Sequence, residues 1–161
     1  MSTRLPLVLA MGSAASALAL AYAAEHLAGL RPCPLCLLQR WPYWLAVAAA
    51  GLGLLLPARF RVAAIAVAAS LFFGNAALAA FHAGVEWRFW PSPLPACAPE
   101  GVGTAKTVDD LLRSLPLVAA VPCEEPALRV FGLSMAGWNA LFALAVGLIL
   151  TISAIGCRRR A

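Results

Sequence analysis

Charge is what this sequence has least of. Of its 161 residues only 12% are charged and 63% are hydrophobic, with a mean hydropathy of +0.86. A soluble domain carries about 25% charge and about 45–50% apolar residues. There is too little charge here to coat a water-facing surface, which excludes a soluble enzyme. The same composition excludes a disordered chain. A nucleic-acid-binding module is excluded too, although the pI is about 9.3. The sequence also lacks internal repeats and low-complexity linkers. Four apolar segments of about 20 residues each take up about half the chain. The expectation is an all-α membrane protein, with residues 1–161 forming a single integral membrane domain.

The four segments are expected at about 5–24, 37–57, 62–81 and 133–155. If the second began at Trp41, its helix would rise only about 24 Å against a hydrocarbon core of about 30 Å. The start is therefore placed near Leu37, with Gln39 and Arg40 at the membrane boundary. Trp41, Tyr43 and Trp44 stand there too, as an aromatic belt would. The first segment competes with a cleaved signal peptide, since Ala21-Tyr22-Ala23 resembles a small-residue cleavage site. Its apolar length exceeds the usual h-region of about 7–15 residues and favours a retained span.

The few charges sort by side. Arg4, Arg59, Arg61, Arg158, Arg159 and Arg160 fall on one face with no acid among them. All seven acidic residues fall on the other. By the positive-inside rule the arginine face, with both termini, is cytoplasmic. The basic pI is mostly a topology signal. Two exported (periplasmic) loops follow, at about 25–36 and 82–132. In the longer one Thr107-Val-Asp-Asp110 matches a capping box with Asp for the usual Glu. Val108, Leu111, Leu112 and Leu115 then keep helical spacing until Pro116. A short interfacial helix is expected there, with a small lid packed on the bundle as the other reading.

Four of the five cysteines lie in the exported loops, two per loop: Cys33 and Cys36, then Cys97 and Cys123. Cys157 sits among the cytoplasmic arginines. An even count on an oxidising face suits disulfide chemistry. Cys33-Pro34-Leu35-Cys36 is a C-x-x-C pair at the mouth of the second helix. The positive end of a helix stabilises a thiolate, the nucleophilic form. Cys36, nearer the helix, is the better placed. Arg40 shares the helical face of Cys36. It suits either a cation supporting a thiolate or nearby anion, or a snorkelling topology anchor. His82 and Glu86 also share a face, either near a redox site or as an interfacial hydrogen-bonded pair.

No metal is expected. Structural zinc uses tight cysteine knuckles, and Cys97 and Cys123 are far apart in sequence. That pair also suits a structural staple, worth roughly 3–4 kcal/mol in the chain-entropy account. The C-x-x-C tips the balance toward redox exchange, because so small a loop stabilises little. Two cysteine pairs suggest a relay between a soluble partner and a lipid-soluble two-electron acceptor, for which a membrane quinone fits.

In these features the chain resembles the disulfide bond formation protein B family, DsbB, of bacterial inner-membrane thiol oxidases. The resemblance rests on the four spans, the C-x-x-C continuing as Cys36-Leu-Leu-Gln-Arg40, and Phe81-His82-Ala-Gly-Val-Glu86. It extends to Trp90-Pro-Ser-Pro-Leu-Pro-Ala-Cys97 and to Cys123 in the same loop. It implies a four-transmembrane-helix bundle in the inner membrane. A periplasmic DsbA-like dithiol would attack a Cys97–Cys123 disulfide at Cys97. Cys123 would pass the exchange to Cys33, and Cys36 would face ubiquinone or menaquinone. Arg40 would support the quinone's negative charge, with His82 and Glu86 near it.

A vitamin-K-epoxide-reductase-like protein is disfavoured because its C-x-x-C comes late in the chain. The alternative outside enzymology is a tetraspan scaffold with a structural periplasmic disulfide, which has no need of a C-x-x-C followed by arginine.

Overall fold

A computed structural model describes residues 3–92 and 122–159. Cys97 and the expected interfacial helix at 107–116 lie outside the described residues. Five helices and one small hairpin follow in order: α1 Arg4–His26, α2 Pro34–Leu38, α3 Arg40–Leu55, α4 Ala58–Glu86, β1 Arg129–Val130, β2 Leu133–Ser134 and α5 Met135–Arg158. The chain is mostly helical. Three helices, α1, α4 and α5, are long and apolar enough to cross a membrane, which makes this an integral membrane protein.

The second expected segment differs from its forecast. It is two helices, α2 and α3, meeting at Gln39. Pro42 explains the break: it has no N–H to give to the Leu38 carbonyl one turn earlier, so the helical ladder is interrupted. At 16 residues, α3 alone rises about 24 Å and falls short of a bilayer core. The break places Gln39 where its side chain can leave the helical stack and turn inward, and it is buried.

Helix α4 continues past the expected end of the third segment to Glu86, so His82 and Glu86 lie in its last turns. It ends in a Schellman cap. The Phe89 N–H donates to the Gly84 carbonyl and the Arg88 N–H to the Val85 carbonyl, both at 2.9 Å. Arg88 holds the left-handed position with φ 60°, a conformation usually left to glycine. Trp90 then folds back, stacking on Phe81 and donating its indole N–H to the Phe81 carbonyl at 3.0 Å. Gly84 gives the Trp90 ring its space; a Cβ there would overlap the ring.

A hairpin of two two-residue strands, not foreseen from sequence, precedes α5. Phe131 and Gly132 both have positive φ, 51° and 81°. That pairs Val130 with Leu133 across a two-residue turn. Ser134 caps α5 by accepting the Gly137 N–H at 3.1 Å.

The core is built largely from small side chains. Ala10 and Ala14 on α1, Ala46 and Ala50 on α3, Ala68, Ala69 and Ala76 on α4, and Ala143 on α5 are buried together with Leu7, Ile65, Phe72 and Leu150. In a bilayer the hydrophobic effect does not drive helices together, and close backbone approach through small residues replaces it. The larger apolar residues, such as Leu52, Val67, Leu148 and Ile152, face outward. Helix α4 packs on both α3 and α5, and α1 on α3. That arrangement brings the N-terminus of α2 against the C-terminal end of α4.

Candidate redox site

Cys33 is the N-cap of α2, with extended backbone at φ −74° and ψ 164°, and Pro34 is the first helical residue. Proline suits that position because its N–H would have no partner there and its φ is already helical. The Cys33 Sγ accepts the Cys36 backbone N–H at 3.2 Å. It lies 2.9 Å from the Cys36 Sγ and 3.5 Å from the His82 Nε2. Both thiols are free. By spacing alone Cys36 is the better placed thiol at the helix mouth. In the structure the capping contact falls on Cys33, one turn earlier.

The two thiols share one proton. The Cys36 thiol bonding to it holds Cys33 down at about 5, helped by His82 and the Cys36 backbone N–H, while burial opposes the shift. The Cys36 thiol is pushed up, first by its bond to Cys33, then by burial and by the adjacent negative charge. Of the reduced pair, Cys33 is the thiol that ionises first.

Cys123 is disulfide-bonded. It is buried in one cluster with Cys33, Leu35 and Val85, against which Cys36 and Phe81 pack. Cys33, Cys36 and Cys123 are therefore brought together around the C-terminal end of α4. Cys157 is free and buried at the far end of α5, apart from this cluster.

A chain of side chains leads away from Cys33 into the bundle. His82 Nδ1 lies 2.8 Å from the Gln39 Nε2, which also donates to the Leu35 carbonyl at 3.3 Å. Asn139 donates from Nδ2 to the Gln39 Oε1 at 2.7 Å, and the Tyr43 hydroxyl donates to the Asn139 Oδ1. His82, Gln39 and Tyr43 are all buried. Glu86 Oε1 lies 3.8 Å from the His82 Nε2, and Glu86 Oε2 is buried with no partner among the described residues.

Arg40 stands apart from this chain. It donates from Nη2 to the Glu25 Oε2 at 2.6 Å, and its guanidinium lies 4.6 Å from the centre of the Tyr22 ring. Of the residues singled out from sequence, Cys33, Cys36, Cys123, His82 and Glu86 lie together here, Arg40 stands apart, and Cys97 lies outside the described residues. By sequence Gln39 and Tyr43 are only boundary residues, and Asn139 and Glu25 have no site role. A polar residue inside an apolar run was the available signal for Gln39 and Asn139.

Fold and site together define a helical membrane protein that holds a buried dithiol beside a disulfide. The family model for "Disulfide bond formation protein DsbB" matches residues 3–153. The chain belongs to the DsbB family. It is 33% identical over 144 residues to disulfide bond formation protein B of Marinobacter nauticus, covering 80% of this chain and 77% of that one. Proteins of the same name from Polaromonas and Azoarcus are 29% and 31% identical, over 88% and 86% of this chain and 86% and 84% of theirs. No solved structure matches the chain. Family membership makes this a disulfide-forming membrane protein with disulfide oxidoreductase activity.

Proposed function

We propose that the protein reoxidises a periplasmic DsbA-like dithiol and passes two electrons through its two cysteine pairs to a membrane quinone. It would do so as a four-span protein of the bacterial inner membrane, with both termini in the cytoplasm. In this reading α2 and α3 together supply the second span. The observation that carries the proposal is the buried cluster joining the free Cys33–Cys36 pair to the disulfide-bonded Cys123.

The steps are ordinary thiol–disulfide exchange. A partner thiolate attacks Cys97, a partner–Cys97 bond forms, the Cys97–Cys123 bond breaks, and Cys123 leaves as thiolate. Cys123 then attacks Cys33 of an oxidised inner pair, and Cys36 leaves as thiolate. The partner's second thiolate displaces Cys97 and departs as a disulfide. The freed Cys97 thiolate then attacks Cys123, which re-forms the Cys97–Cys123 bond and releases Cys33. The two electrons would then rest on the Cys33–Cys36 dithiol, the pair a quinone would reoxidise.

The geometry suits this hand-over. Cys36 holds its proton chiefly because of its bond to Cys33 and the charge there. Once Cys33 is tied to Cys123, the bond and the charge are gone and Cys36 ionises more readily, with burial still opposing it.

Cys36, Arg40, His82 and Glu86 would hold the quinone. The residues fit such a group: Cys36 is half-buried beside exposed Leu37, Leu38 and Trp41, and Glu86 carries a buried, unpartnered oxygen. When bound, the quinone supplies a lipid-soluble acceptor for two electrons and two protons. Arg40 holds a fixed positive charge at the rim and Glu25 fixes its position.

A scaffold with a structural disulfide has no use for a buried free dithiol. The deciding experiment is oxidation of a DsbA-like dithiol by the purified protein with ubiquinone or menaquinone added. Catalytic loss of partner thiols with matching quinone reduction is expected; loss of neither would sink the proposal.

A further inference from the structure

The hydrogen bonds leading from Cys33 into the bundle have a direction. The Leu35 carbonyl can only accept, so the Gln39 amide must turn its NH2 group toward it. The same NH2 group faces the His82 Nδ1. That leaves the Gln39 Oε1 to accept from Asn139, whose own oxygen accepts from the Tyr43 hydroxyl. Every donor in the chain points the same way. A ring nitrogen that accepts cannot carry the proton, so neutral His82 bears its hydrogen on Nε2, the atom facing the Cys33 Sγ.

We propose that Gln39 is a positioning residue: by donating to the His82 Nδ1 it fixes the Nε2–H tautomer and so aims a hydrogen-bond donor at the Cys33 sulfur. This deepens the reading above and rests on it for the catalytic meaning of Cys33. Three further groups lie near that sulfur: Cys36 from α2, Glu86 from α4, whose Oε1 is 3.8 Å from the same His82 Nε2, and Cys123, which is held in its disulfide and does not titrate. Arg40 is engaged by Glu25. His82 is thus the donor that α4 contributes.

The tautomer has a second consequence. The ligand atoms of Cys33, Cys36 and His82 lie within 4.8 Å of one another, a spacing that an ion such as zinc can bridge. Binding an ion requires the Nε2 lone pair, with Nδ1–H turned to an acceptor. Gln39 imposes the opposite arrangement and puts a proton where the ion would sit. A reduced dithiol beside a histidine thereby stays a nucleophile instead of becoming a metal trap.

The test uses the full chain in lipid nanodiscs, reduced at Cys33 and Cys36, with isotope-labelled histidine and His26→Gln to leave a single ring signal. Nitrogen NMR is expected to place the His82 proton on Nε2. Gln39→Met removes the donor without adding charge. It is expected to move proton population to Nδ1, to raise the pH midpoint of Cys33 alkylation by about one unit, and to tighten zinc binding roughly tenfold.

Asn139→Asp leaves His82 and Gln39 untouched but can only accept. It is expected to turn the Gln39 amide over and shift the proton the same way, and it decides alone if Gln39→Met does not fold. A wild-type proton on Nδ1, or ring nitrogens and an alkylation profile unmoved by the variants, would overturn the proposal. None of these readouts needs quinone or a partner. Absent turnover with the tautomer intact would count against the oxidase reading and leave the role of Gln39 standing.

Discussion

Arg40 and Glu25 are joined across α1 and α3 by a 2.6 Å hydrogen bond, with the guanidinium lying over Tyr22. A topology anchor would leave this arginine reaching for lipid phosphate. Here it is held against α1 by a carboxylate and an aromatic face, which fixes the position of its charge next to the α2–α3 break.

Arg40→His shortens the side chain and loses the bond to Glu25. If the charge supports bound quinone, the apparent quinone KM rises roughly tenfold, the order expected for one lost charge-assisted hydrogen bond. Glu25→Gln keeps the cation but loosens it, and a smaller rise is expected. Steady-state kinetics over a quinone series, run beside thermal unfolding, separates this from a folding defect. Unchanged KM in both variants returns Arg40 to a purely structural role.

The cysteines divide by position. Cys33→Ser removes the thiol that ionises first and the expected link to Cys123, so rapid quinone reduction should be lost. Cys157 is buried at the opposite end of α5, and Cys157→Ser should leave turnover unchanged. Stopped-flow quinone reduction with a reduced DsbA-like partner measures both. Wild-type rates in Cys33→Ser would remove the relay.

Much of this was legible in the sequence because membrane insertion writes itself in composition. Long apolar runs gave α1, α4 and α5, and the C-x-x-C located the dithiol. Pro42 is equally plain in the sequence, yet its consequence was missed, because a hydropathy run does not register a missing N–H. The thiolate assignment moved from Cys36 to Cys33 because the cap position depends on where the backbone turns extended, a one-residue matter that spacing does not fix. The network through Gln39, Asn139 and Tyr43 joins residues nearly a hundred positions apart. Only packing of α5 beside α3 and α4 brings it together.

Gly84 and Trp90 give a packing prediction. The indole lies where a Gly84 side chain would go, and it folds over the C-terminal end of α4. Gly84→Val forces Trp90 off Phe81 and is expected to destabilise the protein by about 1–3 kcal/mol. Arg88→Gly relieves the left-handed backbone at the cap and should stabilise it by up to about 1 kcal/mol. Thermal unfolding in a fixed detergent tests the pair, and opposite signs are the expected result.

The shared proton makes the reduced pair pH-dependent in a defined sense. Below about pH 5 both thiols are protonated in the folded protein, since Cys33 titrates there. Between that value and the ordinary thiol value of 9.0, the folded pair holds one proton and the unfolded chain two. The unfolded state binds more protons, so stability of the reduced form rises with pH across this window. Above it the unfolded chain loses both protons while Cys36, pushed up, keeps its own, and stability falls again. Reactivity follows the same titration: iodoacetamide should modify Cys33 at a constant rate from neutral pH down to about 6, then progressively more slowly through about 5. A midpoint in the ordinary thiol range would mean that the Cys36 thiol, His82 and the α2 cap together fail to stabilise the Cys33 thiolate.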